Sequence, residues 1–149
     1  MMAEDIPLPK RTAKAAWTGM ISIVAWILAP AYLSGLLSSS LPSAPIGDLG
    51  YVYAFGAIIT GLQVLGALAE GRVASVPLIS GAFVAVAFYL WYGTGGGMLA
   101  VSVSGIGVQL EFRVLAFLLV MPSLFNAARV PVSFLLERTE AGRAAAEVP

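Results

Sequence analysis

The chain contains no cysteine and no histidine. Without cysteine there is no disulfide, no thiol nucleophile and no thiolate metal site. Without histidine there is no imidazole ligand for haem or zinc and no histidine acid–base catalyst. A metal site built from carboxylates alone stays open, but the eight acidic residues are scattered. We therefore expect no cofactor and no enzymatic activity. Amides are nearly absent too: Gln63, Gln109 and Asn126 are the only three. Charge is scarce, at 11% of 149 residues, against about 25% in an ordinary soluble domain. The eight basic and eight acidic residues cancel. No basic patch offers the electrostatic footprint of a nucleic-acid binder.

The way the charges are missing is more telling than their number. No charged residue lies between Lys14 and Asp48, and none between Arg72 and Glu111. A charge at the bilayer centre costs about 2.5–3.5 kcal/mol on insertion scales. Charge-free stretches of this length therefore mark membrane-spanning segments, and a chain that is 59% hydrophobic has room for four. Their predicted bounds are 15–37, 49–70, 75–93 and 112–136. A cytoplasmic leader, 1–14, precedes this membrane domain of residues 15–138, and a cytoplasmic tail, 139–149, follows it. The first run is longer than the apolar core of a secretory signal, about 7–15 residues. Pro7 and Pro9 favour an extended leader, and Pro30 should kink or end the first helix. Gly71 suits the left-handed residue that follows a helix, and Pro77 is tolerated in a first turn.

Lys10, Arg11, Lys14, Arg72, Arg138 and Arg143 fall on one side of a four-span chain. The positive-inside rule then places both termini in the cytoplasm of a multi-pass cell-membrane protein. On the opposite side, residues 98–112 read MLAVSV-SG-IGVQLEF, with alternation on both arms about Ser104-Gly105. That pattern predicts a β-hairpin. Continuation of the third helix is the competing reading, opposed by the flexible run of Gly95, Gly96 and Gly97. The expected fold class is thus an all-α membrane protein, a four-transmembrane-helix bundle with an extracytoplasmic β-hairpin between helices 3 and 4.

The polar residues inside the spans are the candidate functional groups. Gly56, Thr60, Gln63, Ala67 and Glu70 recur at helical spacing in the second span, as do Pro122, Asn126, Arg129 and Ser133 in the fourth. Small residues and buried amides at such spacing serve helix packing. Counted from the cytoplasmic end, Gln63, Asn126 and Arg129 lie at one depth, with Glu70 a turn or two below. They form a candidate intramembrane polar cluster: Gln63, Glu70, Asn126 and Arg129. The charge-free part of the fourth run, 114–128, is too short for a ~30 Å hydrocarbon core. Either the helix carries Arg129 into the membrane, or it stops near Pro131 and lies along the surface. Within the membrane, the guanidinium either faces the bundle or reaches back to the headgroups. Four-span multidrug transporters need a buried carboxylate in the first span, and this one has none. The function expected is assembly within the lipid bilayer, by self-association or as an accessory subunit of a membrane complex. The alternative is a small channel or transporter constricted at Gln63, Asn126 and Arg129.

Overall fold

The computed structural model describes residues 8–40, 49–103 and 106–146. Of the loop expected at 38–48, residues 38–40 are helical instead and 41–48 lie outside the described residues, as do the Ser104-Gly105 turn and the chain ends. Helix α1 (Leu8–Ile23) runs through a π-helical segment (Val24–Leu28) into α2 (Ala29–Ser40), and these form one continuous rod. Then come α3 (Leu49–Leu68), α4 (Ser75–Gly93), a short 3-10 turn (Gly95–Gly97), strands β1 (Met98–Val103) and β2 (Ile106–Glu111), and α5 (Arg113–Ala146). Four helical stretches are long and apolar enough to cross a membrane: Pro9–Leu36, Leu49–Leu68, Ser75–Gly93 and Arg113–Glu140. The molecule is a multi-pass membrane protein on that ground.

Several boundaries differ from those the sequence suggests. Helix α1 starts at Leu8 rather than near residue 15, because Pro9 falls in the first turn, where its missing N–H is not needed. Pro30 neither ends nor breaks the rod. It has no N–H to offer the carbonyl of Trp26 four residues back, and the helix widens just before it. The Ala29 N–H bonds back to the Val24 carbonyl, five residues away, which is the π-type spacing. Gly71 has φ of +81° and turns the chain from α3 towards α4. Pro77 lies in the first turn of α4. Helix α5 passes through Pro122 and Pro131 and continues to Ala146, 34 residues in all. Arg129 therefore lies within the stretch that is long and apolar enough to cross a membrane.

The expected fold class, an all-α four-helix bundle with a hairpin appended, is corrected on two counts. First, the helices do not close into a bundle. They pack in chain order: the first rod on α3, α3 on α4, and α4 on α5. Helix α5 has no packed interface with α3 or with the first rod. Second, the chain is not all-α. β1 and β2 pair antiparallel, with Val103 opposite Ile106, Val101 opposite Val108 and Met98 opposite Glu111. The side chains of residues 99–108 and of Leu110 lie outside the described residues, and with them any covered apolar face. The root of this segment is fixed tightly to α5. Gly97 has φ of +81°, and a Cβ on it would lie 2.5 Å from the Arg113 Cα. Its carbonyl accepts the Phe112 N–H at 2.7 Å.

The core lies where the first rod, α3 and α4 meet. Ile59 is fully buried, and Val86 and Tyr89 are nearly so, with Trp26, Tyr51 and Phe55 packed around them. Gly56 allows the closest approach. A Cβ there would sit 2.8 Å from the Trp26 carbonyl oxygen and 2.5 Å from Ile27 Cγ1.

Candidate functional site

Two polar pairs join the first rod to α3. The Lys14 ammonium meets the Glu70 carboxylate at 2.5 Å, and the Ser22 hydroxyl donates to the Gln63 side-chain oxygen. Eight residues separate Lys14 from Ser22 and seven separate Gln63 from Glu70, the register of two antiparallel helices side by side. Ser22 is 3% exposed, so its bond to Gln63 is made away from water. Lys14 and Glu70 are wetter, with side chains 57% and 34% exposed. Arg11 is buried at the same end, and its guanidinium lies about 4.0 Å from where a Cβ on Gly71 would be. Lys14, Arg11 and Glu70 thus gather at the turn between α3 and α4.

Asn126 and Arg129 stand apart from these pairs. The stripe of α5 that faces α4 is Ala116, Val120 and Ser123, all buried, continued by the half-buried Ala127, Val130 and Phe134. The polar stripe Pro122, Asn126, Arg129 and Ser133 is offset by one residue at each step, a rotation of about 100° around the helix. Asn126 is half-buried at the flank, while Arg129 and Ser133 are exposed. Of the four residues that depth alone brought together, Gln63 is tied to Ser22 and Glu70 to Lys14. Arg129 makes no ion pair among the described residues.

Two grooves open on either side of α4 at the Lys14 end. One, of about 250 Å³, runs between the first rod, α3 and α4. Its mouth holds Lys14 and Glu70, Thr18 and Gln63 line it, and its floor is the small residues Gly66, Ala67 and Ala82. The other, of about 580 Å³, lies between α4 and α5, with Glu70, Ser75, Ser133, Glu137 and Arg138 along its polar parts.

No family model, curated protein or solved structure matches the chain. Its own geometry is the basis for any functional reading.

A third polar constellation escapes a reading by charge because it is aromatic. The Tyr51 hydroxyl donates to the Tyr89 carbonyl, and the two rings stack with centroids 5.4 Å apart. The Tyr89 hydroxyl donates in turn to the Trp26 carbonyl at 3.4 Å, and the Trp26 ring meets the Tyr89 ring edge-on. The acceptor is the carbonyl that Pro30 leaves without its usual partner. Tyr89 looks like an interfacial aromatic in sequence, next to Trp91 and Tyr92. It is 7% exposed, whereas Tyr92 is 63% exposed. The signal available in advance was Pro30 itself, which leaves an acceptor inside the membrane for a neighbouring hydroxyl to satisfy.

Proposed function

We propose that this protein works by assembly in the membrane, as a homo-oligomer or as a subunit of a larger complex, and carries out no catalysis. The observation that supports this reading is the isolation of α5. Among the described helices it packs on α4 alone, and it turns Arg129 and Ser133 away from that contact. A helix that crosses lipid with an amide and a guanidinium off its packing stripe gains from a second surface that can bond them. The same outer face carries Leu118, Phe125, Val132 and Leu136, all exposed, so a partner helix would meet apolar side chains on both flanks of Arg129. A channel or transporter would instead require Gln63, Asn126 and Arg129 around one path. A single copy gives that alternative no support, because Gln63 is engaged with Ser22 and α5 does not pack on α3.

Both termini are placed in the cytoplasm by this proposal, on the strength of Lys10, Arg11, Lys14 and Arg72 lying at one end of the spans. The decisive experiment is native mass measurement of the full chain in mild detergent. Species heavier than the 15.5 kDa chain are expected, and Arg129→Leu together with Asn126→Leu should disperse them. A chain that is monomeric both in mild detergent and in lipid nanodiscs, with no co-purifying subunit, would refute assembly. Single cysteines at Arg72→Cys and Glu111→Cys, probed with an impermeant thiol reagent on whole cells, test orientation. Only the second should label.

A further inference from the structure

We infer that the groove between the first rod, α3 and α4 binds an anionic phospholipid, with one acyl chain along its floor and the phosphate on Lys14. The lining points to an alkyl chain: Gly66, Ala67 and Ala82 are small and leave an open furrow, and Ile79 and Phe83 wall it with apolar side chains.

The charges decide the head group. The charged residues that line the groove are Lys14 and Glu70; Arg11 is buried beside Gly71, between Glu70 and Arg72 in the chain, and Lys10 lies one turn before Lys14 on the same helix. Lys14 at the mouth spends one of its three donors on Glu70, and its side chain is more than half exposed, so it has donors left for a phosphate. Thr18 also lines the groove. It lies one turn, about 6 Å, deeper than Lys14, on the side where the ester oxygens of a glycerolipid follow its phosphate. Gln63, held by Ser22, closes the deep end. Basic grooves between membrane helices at headgroup depth are where anionic lipids are retained. The site uses no residue of α5 and stands or falls independently of the assembly proposal.

The test uses the full chain reconstituted in nanodiscs of phosphatidylcholine with a graded fraction of phosphatidylglycerol. Lipid retained after mild-detergent extraction is counted by native mass measurement. Phosphatidylglycerol should be retained in preference to phosphatidylcholine. Lys14→Gln should reduce that preference about 5-fold, the effect of removing one lysine beside an anionic headgroup. Ala67→Phe should reduce retention of both lipids by filling the floor, and Ala67→Leu serves the same purpose if the larger side chain disturbs folding by circular dichroism. Arg138→Gln, in the other groove, should leave the preference unchanged. Equal retention of the two lipids would overturn the inference. So would an Arg138→Gln effect as large as that of Lys14→Gln, or protection by soluble glycerol phosphate equal to that by phosphatidylglycerol.

Discussion

Gly56→Ala and Gly61→Ala add the same methyl group to the same helix and should move stability in opposite directions. At Gly61 no heavy atom lies within 4 Å of the added Cβ. The substitution there should stabilise by at most about 1 kcal/mol, through the lower conformational freedom of alanine in the unfolded chain. At Gly56 the same gain is available, but the new Cβ would sit 2.8 Å from the Trp26 carbonyl oxygen and 3.3 Å from the carbonyl carbon. Those are backbone atoms of the π-helical segment, and they cannot rotate aside as the tip of a side chain can. Overpacking of this kind costs about 1–3 kcal/mol. Moving the segment away also weakens the bond from Tyr89 to Trp26, worth about 0.5–1.5 kcal/mol at normal length and less at 3.4 Å. The net expectation for Gly56→Ala is a loss of about 1–2 kcal/mol. At about 2–4 °C per kcal/mol for a chain of this size, the two variants should melt several degrees apart on either side of the parent in the same detergent. Equal melting temperatures, or a Gly56→Ala variant more stable than the parent, would refute the close approach of the π-helical segment to α3.

The two polar pairs of the first rod make two further predictions. A double-mutant cycle on Ser22→Ala and Gln63→Leu should show coupling of about 0.6–2 kcal/mol, the range for hydrogen bonds between membrane helices; strict additivity would place the Gln63 amide elsewhere. Glu70→Gln should couple to Lys14→Gln by only about 0.2–1 kcal/mol, because the pair is exposed, and the coupling should shrink as salt is raised. Glu70→Gln combined with Arg129→Met should be additive, and coupling above about 1 kcal/mol would show that Arg129 reaches Glu70 after all.

The number and rough limits of the spans are legible in the sequence, because the free-energy cost of a charge in hydrocarbon leaves gaps such as 15–47 that no soluble helix needs. Local backbone chemistry is legible where one residue type is required, as at Gly71 with its positive φ. What cannot be read is which face of each helix touches which neighbour. In a soluble helix the polar face marks the outside. In α5 both faces are apolar, so Asn126 and Arg129 look like a packing stripe, while the real one, through Ala116, Val120 and Ser123, is a row of residues common on any membrane helix. Depth along a helix was accessible from residue counts; rotation about its axis was not. The partners of Gln63 and Glu70 turned on rotation, and they lie on the first rod rather than on α5. The length of α5 exceeds the sequence estimate for a related reason. Once a spanning helix exists, extension costs only propagation, not nucleation, and the tail through Ala144–Ala146 is built of strong helix formers.

Packing in chain order has a consequence for how the protein is made. As each helix leaves the ribosome, the surface it will pack against has already been synthesised: α3 finds the first rod, and α4 finds α3. By the time Gly93 has emerged, Trp26, Tyr51, Ile59, Val86 and Tyr89 are all present, and the cluster they form is complete. Helix α5 arrives last and adds a single contact surface to a finished unit. The side-chain bonds that tie this unit together span up to 63 residues of sequence, and none of them has to wait for the C-terminal third of the chain. A nascent chain stalled after α4 would already hold the aromatic cluster and leave uncovered only the face of α4 that receives Ala116, Val120 and Ser123.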